Sequence, residues 1–300
     1  MPSWVCNLIG VSHARLSLGT AQFGEGYGAT NSEGRLSDSQ VREILICALE
    51  SGISRIDTAD AYQDALARVG RELPVSAEVE ITSKFLLNSE WWATPVERIR
   101  DQLSRLRRDS IDCLLVHNAR AIPEFPAVKL RQALSQLVSE GLIRRYGVSV
   151  YDETELEQAL EALPDLGTVQ IPGSIVDVRL LQSELVSAVH ESGVQIQVRS
   201  AFLQGLLLCD ESSLPRAHRA LSPVISRLRT VASARGESVL AGTLAFLRHD
   251  PIVDVVVVGS LSTQQLSEIT DAWDEGSPEW TSEAINAEVA LVDPRCWARA

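Results

Sequence analysis

The chain has 300 residues, 45% of them hydrophobic and 22% charged, which is ordinary for a globular protein and enough to bury a full core. Its formal net charge of −13 repels phosphate backbones, which argues against nucleic acid as a partner and requires any anionic cofactor to be held by a local device. The five cysteines, Cys6, Cys47, Cys113, Cys209 and Cys296, are scattered without a close pair, so neither a disulfide framework nor a zinc site is expected and a reducing, cytoplasmic setting is.

Residues Met1 to Arg15 lack a basic segment followed by an apolar one, so no signal peptide is expected. The longest apolar stretches, such as Val253 to Val258, are far too short to cross a membrane.

Along the chain, short apolar runs alternate with longer amphipathic stretches. Strands are expected near Arg15–Leu18, Arg55–Asp57, Val79–Ser83, Ile111–Val116, Arg145–Ser149, Thr168–Ile171, Gln195–Arg199 and Asp254–Val258. They are rich in Val, Ile and Leu and read as lacking polar alternation, as strands covered on both faces do. A helix opens at the capping residue Ser37, carries Ile44, Leu45, Ala48 and Leu49 as its apolar stripe, and stops at Gly52. Thr94, Pro95 and Glu97 read as an N-cap, a first-turn proline and an acidic first turn, followed by the stripe Ile99, Leu103 and Leu106. Asp152 or Thr154 opens another helix, and Gly141 and Gly193 end two more.

Strands that alternate with helices require a parallel sheet, because each crossover carries a helix. Eight such units favour a closed (β/α)8 barrel over an open sheet, and no G-x-G-x-x-G follows any strand. A single barrel domain is expected over residues 1–300, with its core at about 15–273 and a tail, 274–300, forming a loop beyond the last helix.

Barrel chemistry gathers where strands end at the C-terminal face. Asp57 ends the second expected strand, with Tyr62 five residues on. Lys84 follows the third and His117 the fourth. Singly, each has a plain structural role open to it: a helix cap, a packed ring, a solvated charge, a hydrogen-bonded imidazole. Together they need a shared reason, since buried charges cost several kcal/mol unless paired. Lys84 can pair with Asp57 and lie beside the Tyr62 hydroxyl. A cation there favours phenolate, so the Tyr62 pKa is expected below its usual ~10, which suits a general acid.

Asp57-Thr58-Ala59-Asp60-Ala61-Tyr62, Thr82-Ser83-Lys84 and Leu114-Leu115-Val116-His117 resemble the tetrad of the aldo-keto reductase family in type, order and spacing. Leu18-Gly19-Thr20 resembles its first-strand exit, and Gly141 to Ser149 its approach to the fifth strand. Arg199-Ser200-Ala201-Phe202-Leu203-Gln204-Gly205-Leu206-Leu207 resembles a bacterial branch, and Val257-Val258-Gly259-Ser260 with Gln265, Leu266 and Glu268 the cofactor-phosphate segment.

The resemblance implies a TIM barrel that binds an extended nicotinamide dinucleotide and reduces an aldehyde or ketone, with Tyr62 as proton donor, His117 orienting the carbonyl, and Lys84 and Asp57 tuning the phenol. It implies cofactor contacts at Gly19, Thr20, Asp57, Ser149, Gln170, Arg199, Ser200, Gly205, Gly259, Ser260, Gln265 and Glu268. The helix expected to start near Ser262 offers free N–H groups to a phosphate. NADP is the cofactor implied by family habit. NAD stays open, because Gln265 stands where many relatives carry a basic residue and Ile269 where they carry Asn. Val150 likewise replaces the usual Asn beside the serine, and Arg199 a stacking aromatic.

The substrate pocket is expected from loops after the strands: Phe23, Tyr27, Trp91, Trp92, His117 and Asn118, with Trp297 of the tail as a further candidate. Aromatics there offer flat apolar walls. Two other readings stay open. One is an aldolase or lyase using Lys84 as a Schiff-base amine. The other is a non-catalytic, cofactor-binding subunit that senses redox state. A metal hydrolase needs several ligands at strand ends, and of the five histidines only His117 clearly stands at one, so no metal is expected.

Overall fold

The computed structural model describes residues 13–24, 26–31 and 34–297; Cys6 and residues 1–12 of the expected leaderless N-terminus lie outside the described residues. Among the described residues eight strands form: β1 (Leu16–Gly19), β2 (Arg55–Asp57), β3 (Glu80–Phe85), β4 (Ile111–Val116), β5 (Ile143–Ser149), β6 (Thr168–Pro172), β7 (Gln195–Arg199) and β8 (Val255–Gly259). They pair in chain order, all parallel, and close when β1 meets β8 with Gly19 opposite Gly259. This is the expected (β/α)8 barrel.

The helices between strands follow from local signals. Over Asp38–Glu50, Ser37 accepts from the Gln40 backbone while the Gln40 side chain accepts from the Ser37 backbone, so two orphan N–H groups are satisfied at once. That helix buries Val41, Ile44, Leu45 and Ala48 on the face toward the barrel. Glu153–Ala162 is capped by Asp152 rather than Thr154. Pro95–Leu106 starts on its proline as expected, but the Thr94 side chain makes no capping bond. The buried apolar side chains of strands and helices form one continuous core, filling the barrel wall and the layer between strands and helices.

The tail departs from expectation. The last long helix runs to Glu275, and the chain beyond it packs back on the barrel instead of trailing as a loop. Trp280 is fully buried and its indole N–H donates to Glu237 at 2.7 Å. It lies so close over Gly242 that a Cβ there would come within 2.3 Å of its ring. Further on, the backbones of Ile285 and Ala287 donate to the carbonyls of Ile175 and Val176, at 2.8 and 3.2 Å. Arg295 then reaches Glu155 at 2.8 Å and Asp152 at 3.0 Å. The reason is hydrophobic: Trp280, Ile285 and Val292 are apolar anchors spaced along an otherwise polar stretch.

Trp280→Ala should therefore lower unfolding stability by about 3–5 kcal/mol through the cavity it leaves. Urea unfolding checks this, and an unchanged midpoint would show that the tail is not anchored there.

Candidate active site

β2, β3 and β4 lie side by side, and Asp57, Lys84 and His117 stand at or just beyond their C-terminal ends. Lys84, 1% exposed, forms an ion pair with Asp57, 3% exposed. Its ammonium also donates to the Thr58 carbonyl at 3.2 Å and to the Tyr62 phenol oxygen at 3.4 Å. The His117 ring meets the Tyr62 ring edge-on, with centroids 5.6 Å apart and planes at 84°. The four groups expected at one mouth are thus gathered there.

The second Asp57 oxygen accepts from the Gln170 side chain at 2.8 Å, although β6 lies on the opposite wall of the barrel. The same Gln170 nitrogen donates to Gln197 at 3.2 Å, and Gln197 donates to Gln195 at 3.0 Å. A line of polar groups crosses the lumen. The expectation that the strands lack polar alternation fails at β7: Gln195, Ile196, Gln197, Val198 and Arg199 alternate, and Gln197 is buried inside. That alternation was the sequence signal for Gln197, a residue the motif reading missed.

The expected lowering of the Tyr62 pKa is also corrected. Burial pushes it up, and the Asp57 carboxylate adds to the rise, while Arg199 opposes it. The expectation fails because burial dominates and the neighbouring Lys84 charge does not offset it. Lys84 is itself paired with Asp57, and burial pulls its own pKa down against that partner. The phenol stays protonated. Burial, then the nearby Lys84 and Arg199 charges, lower the His117 pKa from 6.5 to about 3, so its imidazole is neutral at ordinary pH.

Arg199, at the end of β7, leans across to the end of β5. It donates to Ser149 Oγ at 3.3 Å, to Ser200 Oγ at 3.4 Å and to the Val150 carbonyl at 3.1 Å. Its guanidinium lies 4.1 Å from the centre of the Tyr151 ring. Tyr151 was not expected from the motifs; an aromatic two residues past a strand end was its only signal.

These groups open onto a cleft of about 710 Å³. Of the residues expected at the site, Gly19, Tyr27, Asp57, Tyr62, His117, Ser149, Gln170, Arg199, Ser200, Gly205, Gly259, Ser260, Gln265 and Glu268 line it. Several others do not. Thr20 is buried and donates to the Asp57 carbonyl at 3.0 Å. Phe23 is fully buried in the core. Trp91 stacks on Phe85 with ring centres 4.1 Å apart, and Trp92 packs on Phe125 at 5.0 Å. Both tryptophans face the helix layer because the short helix that carries them, Ser89–Ala93, lies against the barrel's outside. Trp297 packs on His218. Asn118 clips the backbone of Leu87, at 2.8 and 3.1 Å, and lines a smaller cavity of about 340 Å³ beside His117 with Arg120, Tyr151, Glu155 and Arg295.

The cleft's far end is built by Gly259, Ser260 and the helix Thr263–Glu275. Its N–H groups are partly engaged already: Ser262 caps that of Gln265 at 3.1 Å, and the Gln265 side chain accepts from Leu261 at 2.9 Å. Two loops of the cleft lining are tied to each other. The backbone N–H of Ala29 donates to the Gln204 side chain at 3.1 Å, and Thr30 Oγ donates to the Gln204 carbonyl at 3.1 Å. Gly205 lets them close, since a Cβ there would fall 2.2 Å from Thr30. Gln22, Thr30 and Gln204 were likewise unforeseen.

Among the described residues, no group of three His, Cys, Asp or Glu could hold a metal ion, and no helix is long and apolar enough to cross a membrane. The model of the aldo/keto reductase family matches residues 15–286. The chain belongs to that family. It is 30% identical over 183 residues to methylglyoxal reductase DkgB of Escherichia coli O157:H7, spanning 59% of this chain and 67% of that one. It is 25% identical over 320 aligned residues to aldo-keto reductase YhdN of Bacillus subtilis, spanning 95% of this chain and 93% of the other. The solved holo form of an aldo-keto reductase from Bacillus halodurans shares the fold, with a TM-score of 0.74 at 23% identity, covering 94% of this chain and 95% of that one. As a family member the chain is an oxidoreductase of carbonyl groups.

His117 gives this site a pH signature. Its folded pKa lies below its unfolded one, so between about pH 6.5 and 3 the unfolded chain holds a proton that the folded chain refuses. Stability should therefore fall with pH across that window, by at most ~1.4 kcal/mol per pH unit from this group. His117→Gln should flatten the slope; an unaltered slope in urea titrations at successive pH values would contradict the assignment.

Proposed function

We propose that this protein reduces a small aldehyde or ketone to its alcohol at the expense of a reduced nicotinamide dinucleotide, with Tyr62 as the proton donor. The observation that carries this reading is the Tyr62 hydroxyl, held 3.4 Å from a Lys84 already paired with Asp57, beside a neutral His117 at the mouth of the cleft. The methylglyoxal reductase similar to this chain points to short 2-oxoaldehydes as the first substrates to offer.

The site fits the cofactor on its own terms. Gln170 Oε1 is buried without a hydrogen-bond partner in the wall of the cleft, an unsatisfied acceptor suited to a carboxamide N–H. Ser149 and Gln170 stand in register on adjacent strands beside it. When bound, a reduced nicotinamide supplies the hydride that the carbonyl carbon receives. The chain's own residues do the rest. His117, neutral, hydrogen-bonds the carbonyl oxygen and orients it beside Tyr62. Tyr62 holds its proton until the oxygen becomes an alkoxide, a far stronger base than a phenolate, and then gives it up. Lys84 steadies the phenolate oxygen that is left.

Family habit implies NADP, but the charges at the far end support NAD. Among the described residues lining the cleft, the only cation is Arg199, at the catalytic end, while Glu268 brings a carboxylate to the far end. A 2′-phosphate there meets like charge, whereas a 2′-hydroxyl can donate to a carboxylate.

The Schiff-base reading is disfavoured because Lys84 is buried, bound to Asp57 and absent from the cleft wall. Tyr62→Phe should retain cofactor binding and lose reduction of 2-oxoaldehydes by roughly 10²–10⁴-fold. Turnover near the parent rate would remove Tyr62 from the mechanism, and cofactor binding without turnover on any carbonyl in the parent would favour a sensor. Nicotinamide fluorescence titration should show tighter binding of NADH than of NADPH; the reverse order would overturn the assignment to NAD.

A further inference from the structure

Arg199 is the one cationic side chain among the described residues lining the cleft, and, unlike the cations nearby, it has no countercharge beside it. Lys84 has Asp57, and Arg295 has Asp293, Glu155 and Asp152. Arg199 forms no ion pair among the described residues. Its three hydrogen bonds go to two hydroxyls and a carbonyl, all neutral. Those bonds and the Tyr151 ring fix the guanidinium in place against its own flexibility. It is only partly exposed, so water screens it incompletely, and its field reaches Tyr62, Lys84 and His117. The nearest acid on Tyr151's side, Glu155, is already taken by Arg295 and by the Tyr151 backbone N–H.

We propose that this uncompensated guanidinium makes the site discriminate between the two redox states of its cofactor, favouring the reduced form over the oxidised one. The inference rests on the reading above, in which the nicotinamide ring lies against Ser149 and Gln170. Arg199 touches that Ser149 and stands one strand away from Gln170. The reduced ring is neutral and the oxidised ring carries a positive charge. A fixed cation within contact range leaves the first undisturbed and repels the second. The discrimination arises from charge alone, because the rings have nearly the same shape. Its functional meaning is ejection of the spent cofactor after each hydride transfer, so that product inhibition by the oxidised form is weak. The neutral His117 and the matched Lys84–Asp57 pair supply no anion that would cancel the effect.

The test measures dissociation constants for NADH and NAD+ by calorimetry, for the parent protein, Arg199→Met and Arg199→Lys. The parent should bind NADH roughly tenfold or more tighter than NAD+. Arg199→Met should shrink that ratio at least fivefold, mainly by tightening NAD+, and Arg199→Lys should largely keep it. A parent protein that binds both forms equally overturns the proposal without recourse to any variant. So does an Arg199→Met ratio within twofold of the parent, including the case in which the substitution only raises KM for a carboxylate-bearing substrate. Failure of the parent to bind either dinucleotide would instead bring down the functional reading on which the proposal stands.

Discussion

Two opposite charges buried at the end of a parallel barrel constrain almost everything around them. Lys84 and Asp57 are out of water, and neither is tolerable there alone; breaking such a pair typically costs about 3–5 kcal/mol. Their partnership therefore fixes the relative ends of β2 and β3, and the remaining lone pairs and protons demand further partners. The Thr58 carbonyl, the Tyr62 oxygen and the Gln170 amide meet that demand. Through Gln170 the requirement passes to the far wall and on to Gln197, so the polar line across the lumen follows from satisfying one ion pair. A lumen of this kind is less plastic than an apolar one, since a shift at one member strands the next.

The electrostatics of the whole and of the part run in opposite senses. The chain carries a formal charge of −13, yet the strand-end mouth of the cleft holds a matched pair, a neutral imidazole, a protonated phenol and one surplus guanidinium. Local arrangement, not net charge, determines what a ligand meets there. Val150 belongs to the same pattern. An apolar side chain at that position leaves its backbone carbonyl to Arg199, which thereby spans β7 to β5.

Much of this was legible in the sequence. Eight apolar runs separated by capped amphipathic stretches specify the barrel, and their ends fall within two residues of the strands. The tetrad was readable because strand ends in a barrel have a fixed destination. What escaped reading depends on partners distant in the chain. Whether Trp91 and Trp92 face a cleft or a helix layer is decided by how a five-residue helix docks on the barrel, which no local pattern encodes. The direction of the Tyr62 pKa is decided by how deeply the phenol is buried and by the Asp57 carboxylate near it, which spacing in the chain does not encode. The anchoring of the tail hinges on Gly242, thirty-eight residues before Trp280, where a missing side chain makes room for an indole.

The clasp between residues 29–30 and Gln204 carries a kinetic implication. Among the described residues it joins two loops of the cleft lining by one bond to the Gln204 side chain and one to its backbone carbonyl. A dinucleotide lying beneath this clasp, as the proposed function would have it, would enter and leave as the clasp opens. Residence time would then be governed by how often that bridge breathes, and equilibrium affinity by the walls beneath it, so that evolution can adjust the two through separate residues.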